Sequence, residues 1–210
     1  MKFLLHPTYC PDIITAAVAV QKDICWEVWD NYQKQTYRNR CYICTDQGRH
    51  MLSIPIKHAG GAEGRQLYRD VRPDNQYPWQ RLHWRSLETA YRSSPFFEFF
   101  EEDFAPLFHR KFDFLLDFNF QTIETITQCL DQDNKTEQTT HFQKETDSMI
   151  DARFLVNAKA QPPSPQSTYT QVFQDKHGFV SGLSVLDLIF NEGNSALDYL
   201  QNINLNFSHA

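Results

Sequence analysis

Apolar and polar positions along this chain change period several times, and each change marks an element. Lys2 to Leu5 is a short apolar run that reads as a buried strand. It is closed by the turn HPTYCPD, where Pro7 and Pro11 break regular structure. Ile13 to Gln21 is compact and alanine-rich, with Asp12 placed as a helix N-cap. Cys25 to Asp30 returns to aromatic and β-branched residues and reads as a second strand. Strand, helix and strand within about 30 residues is the order of a βαβ unit with a parallel pair. From Tyr37 to Cys44 the chain alternates. Tyr37, Asn39, Cys41 and Ile43 share one face; Arg38, Arg40, Tyr42 and Cys44 share the other. His50 to Lys57 reads as the return strand of a hairpin, with Gly48 in the turn.

The period then becomes helical. Trp79, Leu82, His83, Leu87, Ala90 and Tyr91 form one inward stripe, opposite Arg81, Arg85, Glu88 and Arg92. Pro95 interrupts, and Phe96 to Phe108 continues as an aromatic-rich helix or two short turns. Asp113 to Leu130 is a further helix. Asp131 to Ser167 turns polar and then proline-rich, a long excursion with a short strand at Arg153 to Asn157. Tyr169 to Phe173 reads as a strand. Ser184 caps a short helix that Gly193 ends, with Asp187 in the acidic capping position; Ser195 and Asp198 repeat the start signal. The predicted class is α/β: an N-terminal sheet with a βαβ unit and hairpin, then a mainly helical half packed against it. Residues 1–210 read as one domain, with sheet from 1–75 and 151–175, helices from 78–130 and 183–201, and the polar excursion at 131–167.

Composition narrows the functional classes. The apolar fraction is 41%, but 17 phenylalanines supply large burial areas to a core. A net charge of −6 and no long basic run argue against nucleic acid, whose binding rests on neutralising phosphates. Cys10, Cys25, Cys41, Cys44 and Cys129 are odd in number and irregular in spacing, which suits reduced thiols in the cytoplasm. Phe3, Leu4 and Leu5 are too few apolar residues for a signal peptide, and no run nears the roughly 18 of a membrane helix. The sequence therefore predicts a cytoplasmic protein without a membrane span. Association into a homo-oligomer stays open.

Lys34 to Arg40, KQTYRNR, is the most telling polar stretch. Arginine forks bind carboxylates or phosphates bidentately, and Asp30 lies just upstream. A charged strand edge is the competing explanation. His6 ends the first strand, where open α/β sheets place ligands. His83 is either a general acid or base or a core histidine bonded to a backbone or tyrosine group. Cys41 and Cys44 have redox spacing, but a strand sends them to opposite faces, and no second pair completes a zinc site. HAGGAEG, from His58 to Gly64, lacks the Lys-Ser/Thr of a phosphate loop and reads as a plain loop. No metal set or cofactor is assigned by any motif. Trp26, Trp29, Trp79 and Trp84 are core residues or stacking platforms.

Several segments together resemble the WbqC-like protein family. They are LHPTYCP with its helix, WEVWDNYQKQTYRNRCYI, LSIPIK, WQRLHWRSLETAYRSSPFF and LSVLDLIFNEG, in the family's order. The resemblance covers about residues 1–125 and 168–200 and leaves 131–167 out. Many members begin HQPxYLP; here His6-Pro7-Thr8-Tyr9 lacks the Gln. The family's acidic positions fall at or near Glu27 and Asp30, its Asn-Arg pair at Asn39 and Arg40, its helix histidine and tyrosine at His83 and Tyr91, and its late polar pair at Asp187 and Asn191.

What the resemblance implies is a cytoplasmic group transferase, moving an acyl or aminoacyl group such as glycine onto a sugar intermediate in surface-polysaccharide synthesis. In that reading Arg38 and Arg40 hold a phosphate or carboxylate, and His83, or His6, is the catalytic base. Tyr9, Asp30, Asn39, Trp84, Tyr91, Asp187 and Asn191 contact substrate. The alternative is a non-catalytic binding protein for a charged metabolite or sugar nucleotide within a biosynthetic assembly. A regular strand would send Arg40 and Asn39 to opposite faces, so pairing them predicts an irregularity there.

Overall fold

The computed structural model describes residues 1–57, 66–146, 148–159 and 166–205. The HAGGAEG segment lies outside the described residues. Strand β1 (Lys2–Leu5) leads through the turn into helix α1 (Ile13–Gln21), and the chain returns as β2 (Ile24–Trp26) parallel to β1. The cap is as expected: Asp12 Oδ1 accepts from the Ile14 and Thr15 amides at 3.0 and 3.3 Å, and its other oxygen from the Thr15 hydroxyl at 2.6 Å. Asp12→Ala should therefore lower stability by about 1 kcal/mol. A denaturant midpoint that shifts with an unchanged slope is the readout, and no shift would show an idle cap.

β2 stops short of the expected Asp30. The Val28 and Trp29 amides leave the sheet for Thr139 Oγ1 and Glu27 Oε1, at 3.3 and 2.7 Å. The hairpin strands β3 (Arg40–Thr45) and β4 (Gly48–Ser53) pair antiparallel. β3 starts at Arg40 rather than Tyr37 because the Asn39 amide bonds back to Thr36 O at 3.3 Å, the irregularity expected there. β4 starts and ends earlier than expected, since Pro55 removes a ladder donor. Both faces of β3 are covered at Cys41 and Cys44, which are buried, while Arg49, His50 and Met51 of β4 are exposed.

Helices α2 (Trp79–Tyr91), α3 (Phe97–His109) and α4 (Leu115–Cys129) follow. Leu82 is exposed, not inward; Trp84 takes its place, because the stripe turns toward Phe97 and Phe108 of α3. Pro106 sits inside a single α3. The polar segment after α4 returns to the sheet. Trp26 N donates to Glu137 O and Trp26 O accepts from Thr139 N, Lys135 Nζ caps the end of α1 on Ala19 O and Lys22 O, and β5 (Met149–Asp151) adds to the free side of β1 in parallel. The sheet order is β2-β1-β5. The strand expected at 153–157 is thus displaced to 149–151, and Arg153–Val156 is a 3-10 turn closed by Leu155 N on Ala152 O.

No strand forms at 169–173. The Gln171 side chain bonds Val180 N and O, which bends this segment, and α5 (Gln174–His177) follows directly. In α6 (Val185–Glu192), Ser184 is the N-cap and Gly193 the C-cap with φ +56, as expected. Asp187 is no capping residue: its carboxylate accepts from Tyr91, Tyr169 and Gln171. In α7 (Ser195–Asn202), Asn194 stands at the cap position without a side-chain bond, one residue before the expected Ser195. α1 packs against α7, with Gln21 Nε2 donating to Leu200 O and Ile203 O. Phe3 and Ile13 share one apolar cluster with Phe104, Phe118 and Phe190, so the helices close over the sheet. Among the described residues no helix is long and apolar enough to cross a membrane.

Candidate functional site

All three parallel strands end on the same side: β1 at Leu5, β2 at Trp26 and β5 at Asp151. The residues that follow are His6, Glu27 and, one further on, Arg153. Parallel α/β sheets bind ligands beyond these carboxyl ends, because the loops there diverge and leave a crevice. An open cleft of about 530 Å³ lies here, with His6, Asp30, Lys34, Arg38, Phe142 and Arg153 among its lining. A smaller cavity of about 160 Å³ between α1 and α4 is mainly apolar, lined by residues such as Ala16, Ile24, Ile123 and Ile126.

His6, Asp30 and Arg38 form a tight triangle on the cleft floor. His6 Nδ1 faces Glu27 O at 3.3 Å; a carbonyl can only accept, so Nδ1 carries the proton. His6 Nε2 therefore offers its lone pair, and Arg38 Nη2 donates to it at 2.8 Å. The same Nη2 donates to Asp30 Oδ2 at 2.9 Å, and that oxygen is 3.2 Å from His6 Nε2. Burial drives the His6 pKa down to about 4, against the upward pull of the Asp30 carboxylate. The imidazole is thus neutral at pH 7. Asp30 is only partly buried; burial raises its pKa, but His6, protonated at the low pH where Asp30 titrates, and the Arg38 guanidinium leave it lowered overall.

The two arginines of the cleft are in different conditions. A guanidinium has five N–H donors. Arg153 donates to both oxygens of Asp151 and to Gln143 O and Lys144 O, and its Nη1 lies 3.8 Å from Glu27 Oε2. Four of its five donors are engaged, and it fixes the 143–144 backbone over the end of β5. Arg38 is 0% exposed, yet among the described residues its Nε and Nη1 have no hydrogen-bond partner; its guanidinium lies 5.4 Å from the Tyr68 ring centre. Each unmet buried donor costs about 1–3 kcal/mol, so such groups call for an explanation beyond stability.

The remaining sequence candidates fall elsewhere. Tyr9 and His83 are a core pair, OH to Nδ1 at 2.9 Å, and burial lowers the His83 pKa to about 4. Neither is among the residues of the cleft. Asn39 donates to Ile54 O at 2.9 Å and so holds the hairpin. Arg40 is half-buried at the start of β3. Trp84 stacks within the α2–α3 aromatic core. Tyr91 and Asp187 belong to a second buried network with Tyr169, and Asn191 donates to Asp187 O one helical turn back at 2.7 Å. Of the sequence candidates the cleft brings together His6, Asp30 and Arg38. Sequence reasoning gave no site role to Arg153, Phe142 or Phe154, which also line it. They sit in the irregular segment, where no periodicity marks which side chains turn inward.

The fold and site define an α/β protein with a polar cleft at the carboxyl ends of a short parallel sheet. The chain belongs to the WbqC-like protein family, whose sequence profile matches residues 29–161. That match runs through the polar segment, which the resemblance of the opening motifs left out. The chain is also similar to "Uncharacterized protein Rv1507c" of Mycobacterium tuberculosis, 26% identical over 199 residues that cover 81% of this chain and 84% of the relative. No solved structure matches it. Among the described residues no group of three His, Cys, Asp or Glu side chains is placed to hold a metal ion.

Proposed function

We propose that the chain is a group transferase that moves an acyl or aminoacyl group onto an anionic sugar intermediate of surface-polysaccharide synthesis. The observation that carries this reading is the floor triangle: a neutral histidine, a carboxylate and a buried arginine at the ends of parallel strands. His6 Nε2 takes the proton of the sugar's amine or hydroxyl as that nitrogen or oxygen bonds to the carbonyl carbon of an activated ester. The bond from that carbon to the carrier breaks, and the carrier leaves with its electron pair and the proton from His6. Asp30, 3.2 Å away, stabilises the imidazolium in between. Arg38 and Lys34 attract the substrate's anionic group. In this reading the base is His6 instead of His83, a choice supported by His6 lining the cleft.

His6→Gln should lower turnover about 10²–10⁴-fold while substrate binding persists. Unchanged turnover would remove His6 as the base. One observation favours a second reading, a non-catalytic binder: the His6 lone pair is already engaged by Arg38. Wild-type protein that binds sugar phosphates tightly yet turns over none of them with any acyl donor would establish that reading.

A further inference from the structure

Two phenylalanines are left partly in water on the walls of this cleft: Phe142 is 42% exposed and Phe154 41%. Phenylalanine is usually buried, and two on one concavity make an aromatic surface rather than scattered exceptions. Phe142 is also held in place. The Arg153 guanidinium lies over its ring, 5.5 Å from the centre, and that arginine is anchored to Asp151 and to Gln143 O and Lys144 O. A pre-positioned ring binds a flat partner with little ordering cost.

Charge on the walls points the same way. Arg38 is matched by Asp30 and Arg153 by Asp151. Lys34 and Lys159 also line the cleft, and among the described residues neither has an ion-pair partner. With Glu27 also 3.8 Å from Arg153, the balance around the cleft is still positive, by one charge. Gln33, Gln35 and Asn157 add hydrogen-bonding groups suited to hydroxyls or a base edge. Apart from the two rings, only Val156 makes the lining apolar, which gives a lipid tail little to follow. The volume of about 530 Å³ is in the range of small-molecule sites, about 300–1,000 Å³.

We infer that the cleft takes its substrate as a nucleoside diphosphate derivative, the base against Phe142 and Phe154 and the diphosphate on Lys34 and Lys159. This rests on the anionic-sugar reading above and selects a nucleotide handle over a lipid one. Calorimetric titration of the full chain with uridine diphosphate, adenosine diphosphate, inorganic pyrophosphate and glucose 1-phosphate tests it. The nucleoside diphosphates should bind about 5- to 150-fold more tightly than pyrophosphate, the gain of stacking one base on an aromatic ring. Phe142→Ala should erase that margin and leave pyrophosphate affinity unchanged. Lys34→Ala should weaken all the diphosphates. Pyrophosphate binding as tightly as the nucleotides, with Phe142→Ala silent, overturns the nucleotide handle and leaves the sugar reading standing if glucose 1-phosphate binds. Tight nucleotide binding together with full turnover by His6→Gln would keep the handle and sink the proposed base. Binding of none of the four overturns both.

Discussion

Stability should fall steeply as the pH drops from about 6.5 toward 4, by on the order of 3 kcal/mol for each of two buried histidines. Burial holds both His6 and His83 at a pKa of about 4, against an ordinary value of 6.5. Within that window the unfolded chain binds two protons that the folded chain refuses. The unfolded state is then favoured by each step of acidification. Asp30, whose pKa is lowered, adds to the loss below the ordinary carboxylate range, because its stabilisation is present above that range and disappears as it protonates. Asp12 and Asp187 oppose it. Burial raises both, so the folded state binds their protons more tightly and recovers some stability near the lower end. The steepest fall should therefore lie between about pH 6.5 and 5. Denaturant titrations at half-unit intervals would show it, and the His6→Gln, His83→Gln double variant should flatten the profile. A wild-type midpoint that does not move across that interval would contradict the neutral, buried state of these rings.

Asp187→Ala should destabilise the protein by about 3–5 kcal/mol, a large fraction of the stability of an ordinary domain. Asp187 Oδ1 accepts from Tyr91 OH at 2.8 Å, and Oδ2 from Tyr169 OH and Gln171 Nε2 at 2.6 and 3.0 Å. Alanine strands the Tyr91 and Tyr169 hydroxyls, while Gln171 keeps Val180 O, and it opens a void among α2, α6 and the segment before α5. Asp187→Asn should recover most of the loss, since its oxygen can keep the Tyr169 and Gln171 donors while the Tyr91 hydroxyl rotates to accept from the amide. Chemical denaturation of the two variants decides the matter. A loss below about 1 kcal/mol for the alanine variant would mean that these donors find other partners.

Asp187 also shows what the sequence could and could not disclose. The mixed α/β class, α1 with its Asp12 cap, the hairpin and the Ser184 and Gly193 boundaries depend on neighbours a few residues apart, and they were legible. Asp187 stood in a capping position by spacing, but its partners Tyr91 and Tyr169 lie 96 and 18 residues away. Arg38 is similar. In a run of charges it reads as a surface residue, yet its partner His6 comes from a turn 32 residues earlier and takes it fully inside. β5 has three residues, too few for alternation to register, and it exists because β1 offers a free edge. The family motifs drew attention to residues that pack the core, Tyr9, His83 and Trp84, as well as to those of the cleft. Sequence spacing does not separate these roles, because both kinds of residue are tied to one backbone geometry.

The pairing of Lys2 with Met149 has a consequence in time. A chain made from its N-terminus carries β1 without its second neighbour until Met149 is made, and α1 waits longer still for Leu183 and Leu200. Contacts of such sequence separation form slowly, since the intervening loop must be closed before any bond repays it. The helices α2 to α4 and the hairpin are local and can order first. The cleft, which needs the ends of β1, β2 and β5 together, therefore appears after the hairpin and α2 to α4 on the nascent protein. Ligand binding there would report that the three-stranded sheet has closed, not that folding has begun.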